Sequence, residues 1–334
     1  MTMTLNESAL RVAERALAQA RHLAIDVGTV AGARVVDCGV HARGSDAAGL
    51  VLAEAAMAGR GRVWLEPPER VDAAFAAEWP GCPWPVVAVS SDAPVAACLA
   101  SQYAGWKVAT SGYFAMASGP IRAAIGREEL FDTINFRERP NVAVGLLESG
   151  NLPPPEVCRD LAAAAGVPPE AVLLLVARTA SPAGTLQVIA RSLETALHKL
   201  HELHFDVARI ERGTGRAPLA PVAADDLAAI GRTNDAILYG GHVTLEVHGD
   251  DRSLEDIGPR VVSSASPAFG EPFAHLFAKA GGDFYALDPA LFAPAVVEFH
   301  NLDTGRRHRF GGTAPDIVAA SFAAPGGTAT PSRR

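Results

Sequence analysis

Gln187, Arg191, Glu194 and His198 stand at steps of four, three and four residues along the string TLQVIARSLETALHKLHEL (185–203). On an α-helix that spacing stacks them on one face with their side chains in reach of one another. A guanidinium, a carboxylate and an imidazole in contact are the groups of acid–base chemistry. They are equally the groups of a solvated face, where an exposed Arg–Glu pair contributes only about a few tenths of a kcal/mol. Periodicity does not separate the two readings. His198, His201 and His204 invite a metal reading as well, but successive steps of three drift about 60° around a helix and the third falls at its end, so no metal site is expected. The run Gly213-Thr214-Gly215-Arg216-Ala217-Pro218 has two glycines at GxG spacing, lacks a third and runs into proline, so nucleotide binding is not expected either. No GxSxG surrounds Ser118, Ser181 or Ser264, and no hydrolase triad can be assembled.

The helix that must hold these side chains carries Leu186, Ile189, Leu193, Ala196, Leu197, Leu200 and Leu203 as an apolar stripe on its other side, which belongs in the core. Upstream, Asn6 or Ser8 can cap a first helix in which Leu10, Ala13, Leu17, Ala20 and Ala24 recur at helical spacing. A second helix is expected over 47–58, stopped by Gly59, between strands at 33–38 and 62–65. The Pro-rich stretch 79–85 feeds a strand at 86–90. Strands at 142–147 and 171–177 alternate with helices at 153–165 and 185–203; a strand at 206–210, a helix at 224–230 and an apolar run at 236–247 follow. This is an α/β pattern. From 93 to 121 Lys107 is the one charged residue, in a segment rich in Ser, Thr, Tyr, Gln and Gly. Such a stretch suits a wall where backbone approaches a ligand, and equally an ordinary buried strand–helix–turn unit.

The 334 residues suffice for about two domains. The expected division places 1–140 with 251–322 in a first, discontinuous α/β domain, inserts a second α/β domain at 141–250, and leaves 323–334 as a flexible tail. With 49% hydrophobic and 20% charged residues the chain is not disordered. A net charge of −8 gives no basic footprint for nucleic acid, and no apolar run reads as a membrane span. The charged N-terminal segment has no apolar core of a secretory signal, and four cysteines without CxxC spacing suit reduced thiols and a cytoplasmic location.

Several strings resemble the methenyltetrahydromethanopterin cyclohydrolase family: ACLASQYAGWKV (97–108), YFAMASGPIRA (113–123), TASPAGTLQVIARSLETALHKLHEL (179–203), GRTNDAILYGG (231–241), SSASPAFGEPF (263–273) and DFYALDPALFAP (283–294). They occur in the family's order from about residue 5 to residue 322. The resemblance implies two α/β domains flanking a deep interdomain pocket, assembly as a homo-oligomer, often a trimer, and a reaction without metal or nucleotide cofactor. That reaction is hydrolytic opening of the 5,10-methenyl bridge of tetrahydromethanopterin, or of its dephospho form, to the N5-formyl compound. In a methylotroph it belongs to one-carbon metabolism, in formaldehyde oxidation.

By the same resemblance the helical Arg-x-x-Glu is the catalytic pair and maps onto Arg191 and Glu194. Glu194 is then the base that takes a proton from water, and Arg191 orients it and offsets its pull on the cationic substrate. Around them the pair is expected to face an otherwise uncharged wall. Lys107, Tyr103, Ser118, Gly119, Ser181, Thr185, Arg232, Asn234, Asp235, Ser264 and Ser266 lie in the family-like strings and are expected to line the pterin pocket. His198 is read as an electrostatic neighbour of Glu194 or as a satisfied structural histidine. Two other functions remain open at this point, a non-catalytic pterin-binding protein and a cyclohydrolase acting on a folate analogue.

Overall fold

Among the described residues, short runs rich in apolar residues build twelve strands: β1 (Asp26–Val30), β2 (Ala33–Asp37), β3 (Gly61–Glu66), β4 (Val86–Ser91), β5 (Trp106–Thr110), β6 (Tyr113–Ser118), β7 (Ala143–Glu148), β8 (Val172–Ala177), β9 (Ile210–Pro218), β10 (His242–Val247), β11 (Val296–Asn301) and β12 (Arg307–Gly311). They form two six-stranded sheets, ordered β1-β2-β8-β7-β6-β5 and β12-β11-β10-β9-β4-β3. The longer helices are α1 (Leu5–Leu17), α2 (Asp46–Ala56), α3 (Pro155–Ala165), α4 (Pro182–Ile189), α5 (Ser192–Glu202), α6 (Asp226–Leu238) and α7 (Pro315–Ala323). The structure, a computed structural model, describes residues 3–103, 105–282 and 286–324; residues 325–334 of the expected tail, and 283–285 of one family-like string, lie outside them. No described helix is long and apolar enough to cross a membrane. The architecture is mixed α/β.

The chain passes between the sheets several times. β3 and β4 join the second sheet before β5 to β8 return to the first, and β9 onward stays in the second. The segment 141–250 therefore contributes β7 and β8 to one sheet and β9 and β10 to the other, so the division between sheets does not fall at 140 and 250. Pairing is a long-range property, and composition along the chain carries no trace of it.

Three layers of core hold this together. Val157 and Leu161 of α3 cover one face of the first sheet with Val35, Leu174 and Val176. The other face packs Val36, Leu146, Leu173 and Leu175 against Ala9 and Val12 of α1, Leu52 of α2 and Ala183 of α4. The second sheet buries Val87, Val89, Val243, Leu245 and Phe299 beneath Leu186 and Ile189 of α4 and Leu193, Ala196, Leu197 and Leu200 of α5. Helix α4 thus belongs to both cores. The predicted apolar stripe is fully buried from Leu186 to Leu200, each leucine contributing about 1.5–3 kcal/mol.

Four local expectations are corrected. The first helix is capped by Thr4, which forms a capping box with Glu7, while Asn6 is buried and bridges the Pro120 carbonyl, Glu138 and the Val144 amide. Helix 185–203 is two helices with a break at Ala190 and Arg191. The strand expected at 206–210 is a short 3₁₀ turn, Val207–Arg209, and the strand itself begins at Ile210 and includes the Gly-Thr-Gly run. The helix expected at 224–230 runs from Asp226 to Leu238, so the apolar run 236–247 is shared between the end of α6 and β10.

Candidate active site

Helix α4 starts cleanly. Ser181 caps it by accepting the Gly184 amide at 3.0 Å, and Pro182 occupies the first turn, where its missing N–H costs nothing. It stops at Ile189 because the next turn meets β9. A Cβ on Gly215 would lie 2.5 Å from Ser192 Oγ and 2.8 Å from the Leu193 amide, and one on Gly213 would lie 2.6 Å from Leu193 Cδ1. The two glycines let the strand approach the break, and the chain steps sideways into α5. The Arg191 amide donates to Val188 O at 3.1 Å, α5 then starts with Thr195 N to Arg191 O at 2.8 Å, and Gln102 Nε2 reaches the Ala190 carbonyl at 3.4 Å. Gly215→Ala should lower stability by about 1–3 kcal/mol through overpacking against backbone, read as a lower urea midpoint with unchanged slope.

The break separates the expected pair. Arg191, only 9% exposed, lines a crevice of about 10 Å³ with Gln187, Ser118 and Glu148 and the apolar ends of β7 and β8. Its Nε is buried without a hydrogen-bond partner. Glu194, 5% exposed, lies instead among groups of the π-helical segment Val95–Gln102 and its flank, where its charge acts on the Cys98 thiol and the Tyr103 phenol. Among the described residues no contact ion pair joins Arg191 to Glu194; the guanidinium acts on the carboxylate through its field. An unbroken helix would have put the two side by side.

Burial pushes the Glu194 carboxyl up to about 7, against the pull of Arg191 and Arg122, with Glu202 adding a smaller push upward. Tyr103 stacks on His198 with ring centroids 4.3 Å apart, and the Arg122 guanidinium lies 4.9 Å from the Tyr103 centroid. Burial, and then the Glu194 charge, raise the Tyr103 phenol to about 12. Burial lowers His198 to about 4, so at neutral pH it is an uncharged stacking partner and its approach to Glu202, 3.8 Å, is not an ion pair.

Arg122 is a buried charge near Glu194 that the sequence reading missed. Its side chain is 1% exposed, donates to Glu128 at 2.9 and 2.6 Å and to the Leu99 and Ser101 carbonyls at 3.1 and 3.3 Å. The wall facing Glu194 is therefore not uncharged. Arg122 follows directly on the low-charge stretch 93–121, and its place in the family-like string 113–123 was the available signal.

The remaining candidates fall into two groups. Ser118 lines the Arg191 crevice; Gly119, at φ +92°, turns the chain behind it and donates to Ser101 O at 2.9 Å. Ser181 caps α4, and Thr185 Oγ1 donates to the Thr179 carbonyl at 2.9 Å, while the Thr179 hydroxyl donates to Glu148. Lys107 stands on β5 opposite Met116. Elsewhere, Arg232 binds the carbonyls of Pro221, Val222 and Ala324, and Asn234 bonds within α6 to Ile230 O. Asp235 accepts the Phe273 amide at 2.8 Å, and burial raises it to about 7. Ser264 is exposed in a 3₁₀ turn, and Ser266 bonds Asp288 and the Ala268 amide. These last five make no hydrogen bond to Arg191 or Glu194; their partners organise α6 and the loops around it. Among the described residues no cluster of three His, Cys, Asp or Glu could hold a metal ion.

The sequence model of the family described as Cyclohydrolase (MCH) matches residues 4–322. A methenyltetrahydromethanopterin cyclohydrolase of Methylobacterium sp. (strain 4-46) is 44% identical over 326 residues, covering 96% of this chain and 98% of its own. That of Xanthobacter autotrophicus is 44% identical over 291 residues, covering 87% and 83%. The archaeal protein of the same name from Methanosarcina mazei is 38% identical over 295 residues, covering 87% and 89%. A match over nearly the whole chain, in bacterial and archaeal relatives alike, makes this protein a member of the cyclohydrolase (MCH) family.

Proposed function

We propose that this protein hydrolyses the 5,10-methenyl bridge of a tetrahydromethanopterin carrier, in its full or dephospho form, to the N5-formyl compound, with Glu194 as the base and Arg191 as its electrostatic partner. The observation that carries the mechanism is a nearly buried carboxylate held near neutrality between two arginines, at a helix break pinned between two sheets. The bridge is an amidinium cation. As water adds, an O–C bond forms at the bridging carbon and Glu194 takes one water proton. The C–N10 bond then breaks with its electron pair on N10, Glu194 returns the proton there, and the second water proton leaves as the formyl carbonyl forms. The balance is one water consumed and one proton released.

The charges suit this sequence. The substrate cation is neutralised as water adds, and a bare carboxylate beside it holds the ground state more tightly than the transition state. Arg191 and Arg122 offset that pull, while burial keeps Glu194 basic enough to accept a proton near pH 7. Four buried, unpaired thiols suit a reducing, cytoplasmic setting, and the reading includes a homo-oligomer acting on a one-carbon carrier without metal or nucleotide.

The test is loss of methenyl absorbance on adding purified protein to the tetrahydromethanopterin and the folate compounds in turn. Turnover of the first alone supports the proposal; faster turnover of the folate assigns the folate analogue; tight binding with no turnover of either makes the protein a carrier. Because the base must be ionised, kcat/KM in the hydrolytic direction should rise with pH and level off above about 7, the value to which burial raises Glu194.

A further inference from the structure

Strands β7 and β8 are parallel neighbours, with Glu148 opposite Ala177 at their carboxyl ends. The chain leaving β7 goes to α3, which packs with Leu174 and Val176 on one face of the sheet. The chain leaving β8 goes to α4, whose Ala183 packs with Leu173 and Leu175 on the other. Adjacent parallel strands that send their helices to opposite faces open a crevice at their carboxyl ends, the general position of ligands in α/β sheets. Here that crevice is the one lined by Glu148, Ser118, Gln187 and Arg191.

Its chemistry is specific. The Thr179 hydroxyl donates to Glu148 Oε1, and Thr179 is itself buried and accepts Thr185 Oγ1 at 2.9 Å through its carbonyl. Glu148 is therefore held in place by α4, and one hydroxyl occupies a single site on a carboxylate that accepts about four hydrogen bonds. Beside it are the buried Ser118 hydroxyl and the unpartnered Nε of Arg191. A fixed acceptor next to an unused cationic donor calls for a group that is both donor and acceptor. At about 10 Å³ the crevice has room for roughly one water, so it admits no more of a planar ring than a polar edge.

We propose that Glu148 recognises the 2-amino-4-oxopyrimidine edge of the pterin, its carboxylate accepting from the 2-amino group and N3–H while Arg191 and Ser118 face the 4-oxo group. The inference rests on the function proposed above and deepens it. The two ring donors are parallel and match the two oxygens of a carboxylate, and the 4-oxo acceptor lies on the neighbouring carbon, next to the donors that line the crevice beside Glu148. Glu148 then sets which ring binds, and Glu194 what happens to it.

The experiment pairs Glu148→Gln with Thr179→Val and uses two readouts. Steady-state kinetics on the methenyl substrate should show KM raised about 10- to 100-fold for Glu148→Gln, the range for losing hydrogen bonds to a charged acceptor, with kcat within about threefold and the rise near pH 7 retained. Binding of free pterin and of its 2-oxo counterpart, followed by ligand fluorescence, should show the wild type favouring pterin by at least about tenfold and Glu148→Gln losing that preference. A wild-type KM in Glu148→Gln, or an intact preference for pterin, overturns the inference. So does an equal fall in melting temperature in both variants with the preference unchanged, since Glu148 would then only anchor Thr179. Failure of the wild type to consume methenyl substrate refutes the proposed function instead, and the pterin preference is still read separately.

Discussion

Glu194→Gln should lower kcat by about 10²- to 10⁴-fold, the usual contribution of a positioned general base, while KM changes little and the rise in rate near pH 7 disappears. The amide keeps the shape of the side chain and can still hydrogen-bond water, but it accepts no proton. Stability should respond in the opposite sense. Burial raises the carboxyl from 4.5 to about 7, so its contribution to folding is fully present below about 4.5 and is lost as pH rises through about 7. The glutamine variant carries no such penalty. Its melting temperature should therefore gain on wild type as pH rises from about 4.5 to about 7 and keep that gain above 7, which separates lost chemistry from lost fold. Near-wild-type turnover of the methenyl chromophore by this variant would remove Glu194 from the mechanism.

Arg191→Met is the second large effect, and its signature is a displaced pH profile. Arg191 is the strongest influence holding the Glu194 carboxyl down against burial. Without it the carboxyl stays protonated to higher pH, so the rise in kcat/KM should move above 7 and the rate at pH 7 should fall about 10²-fold or more. Arg191→Lys should restore part of the field, leaving the profile close to its original position, but not the rate, because a lysine lacks the planar fork that Arg191 presents to the crevice of Ser118 and Glu148. If Arg191→Met leaves the profile where it is in wild type, Arg122 alone offsets the charge. The role of Arg191 then lies wholly in the crevice.

The buried stripe from Leu186 to Leu200 was legible because helical periodicity is a local pattern and the core accepts whichever face is apolar. The helix break was not. Its cause is Gly213 and Gly215, more than twenty residues downstream, which admit β9 close enough to force the turn at Arg191. Read alone, Gly-Thr-Gly looks like a failed nucleotide loop; in the fold its missing side chains let β9 pass close against Ser192 and Leu193. The division of strands between the two sheets was hidden for a related reason, since the chain enters the second sheet with β3 and β4 and returns to the first with β5, and no composition shift marks the crossings. Of the pocket residues expected from family-like strings, Ser118 lies beside Arg191 and Tyr103 in the field of Glu194, whereas Asp235 and Ser266 bond to Phe273, Asp288 and neighbouring turns.

The α/β alternation and the family membership were determined by the sequence alone, because residue identity and order along the chain are all that those conclusions need; spacing put Arg191 and Glu194 on one helix face, and only the resemblance singled them out. Only the tertiary structure decided that the two side chains point into different surroundings, that a second arginine, Arg122, shares the Glu194 field, and that Glu148 closes the crevice beside Arg191. Each of these depends on desolvation and on charges brought together from distant parts of the chain. A carboxylate in the sequence is a weak base like any other; burial on a helix packed against the second sheet and the π-helical segment is what raises it to about 7.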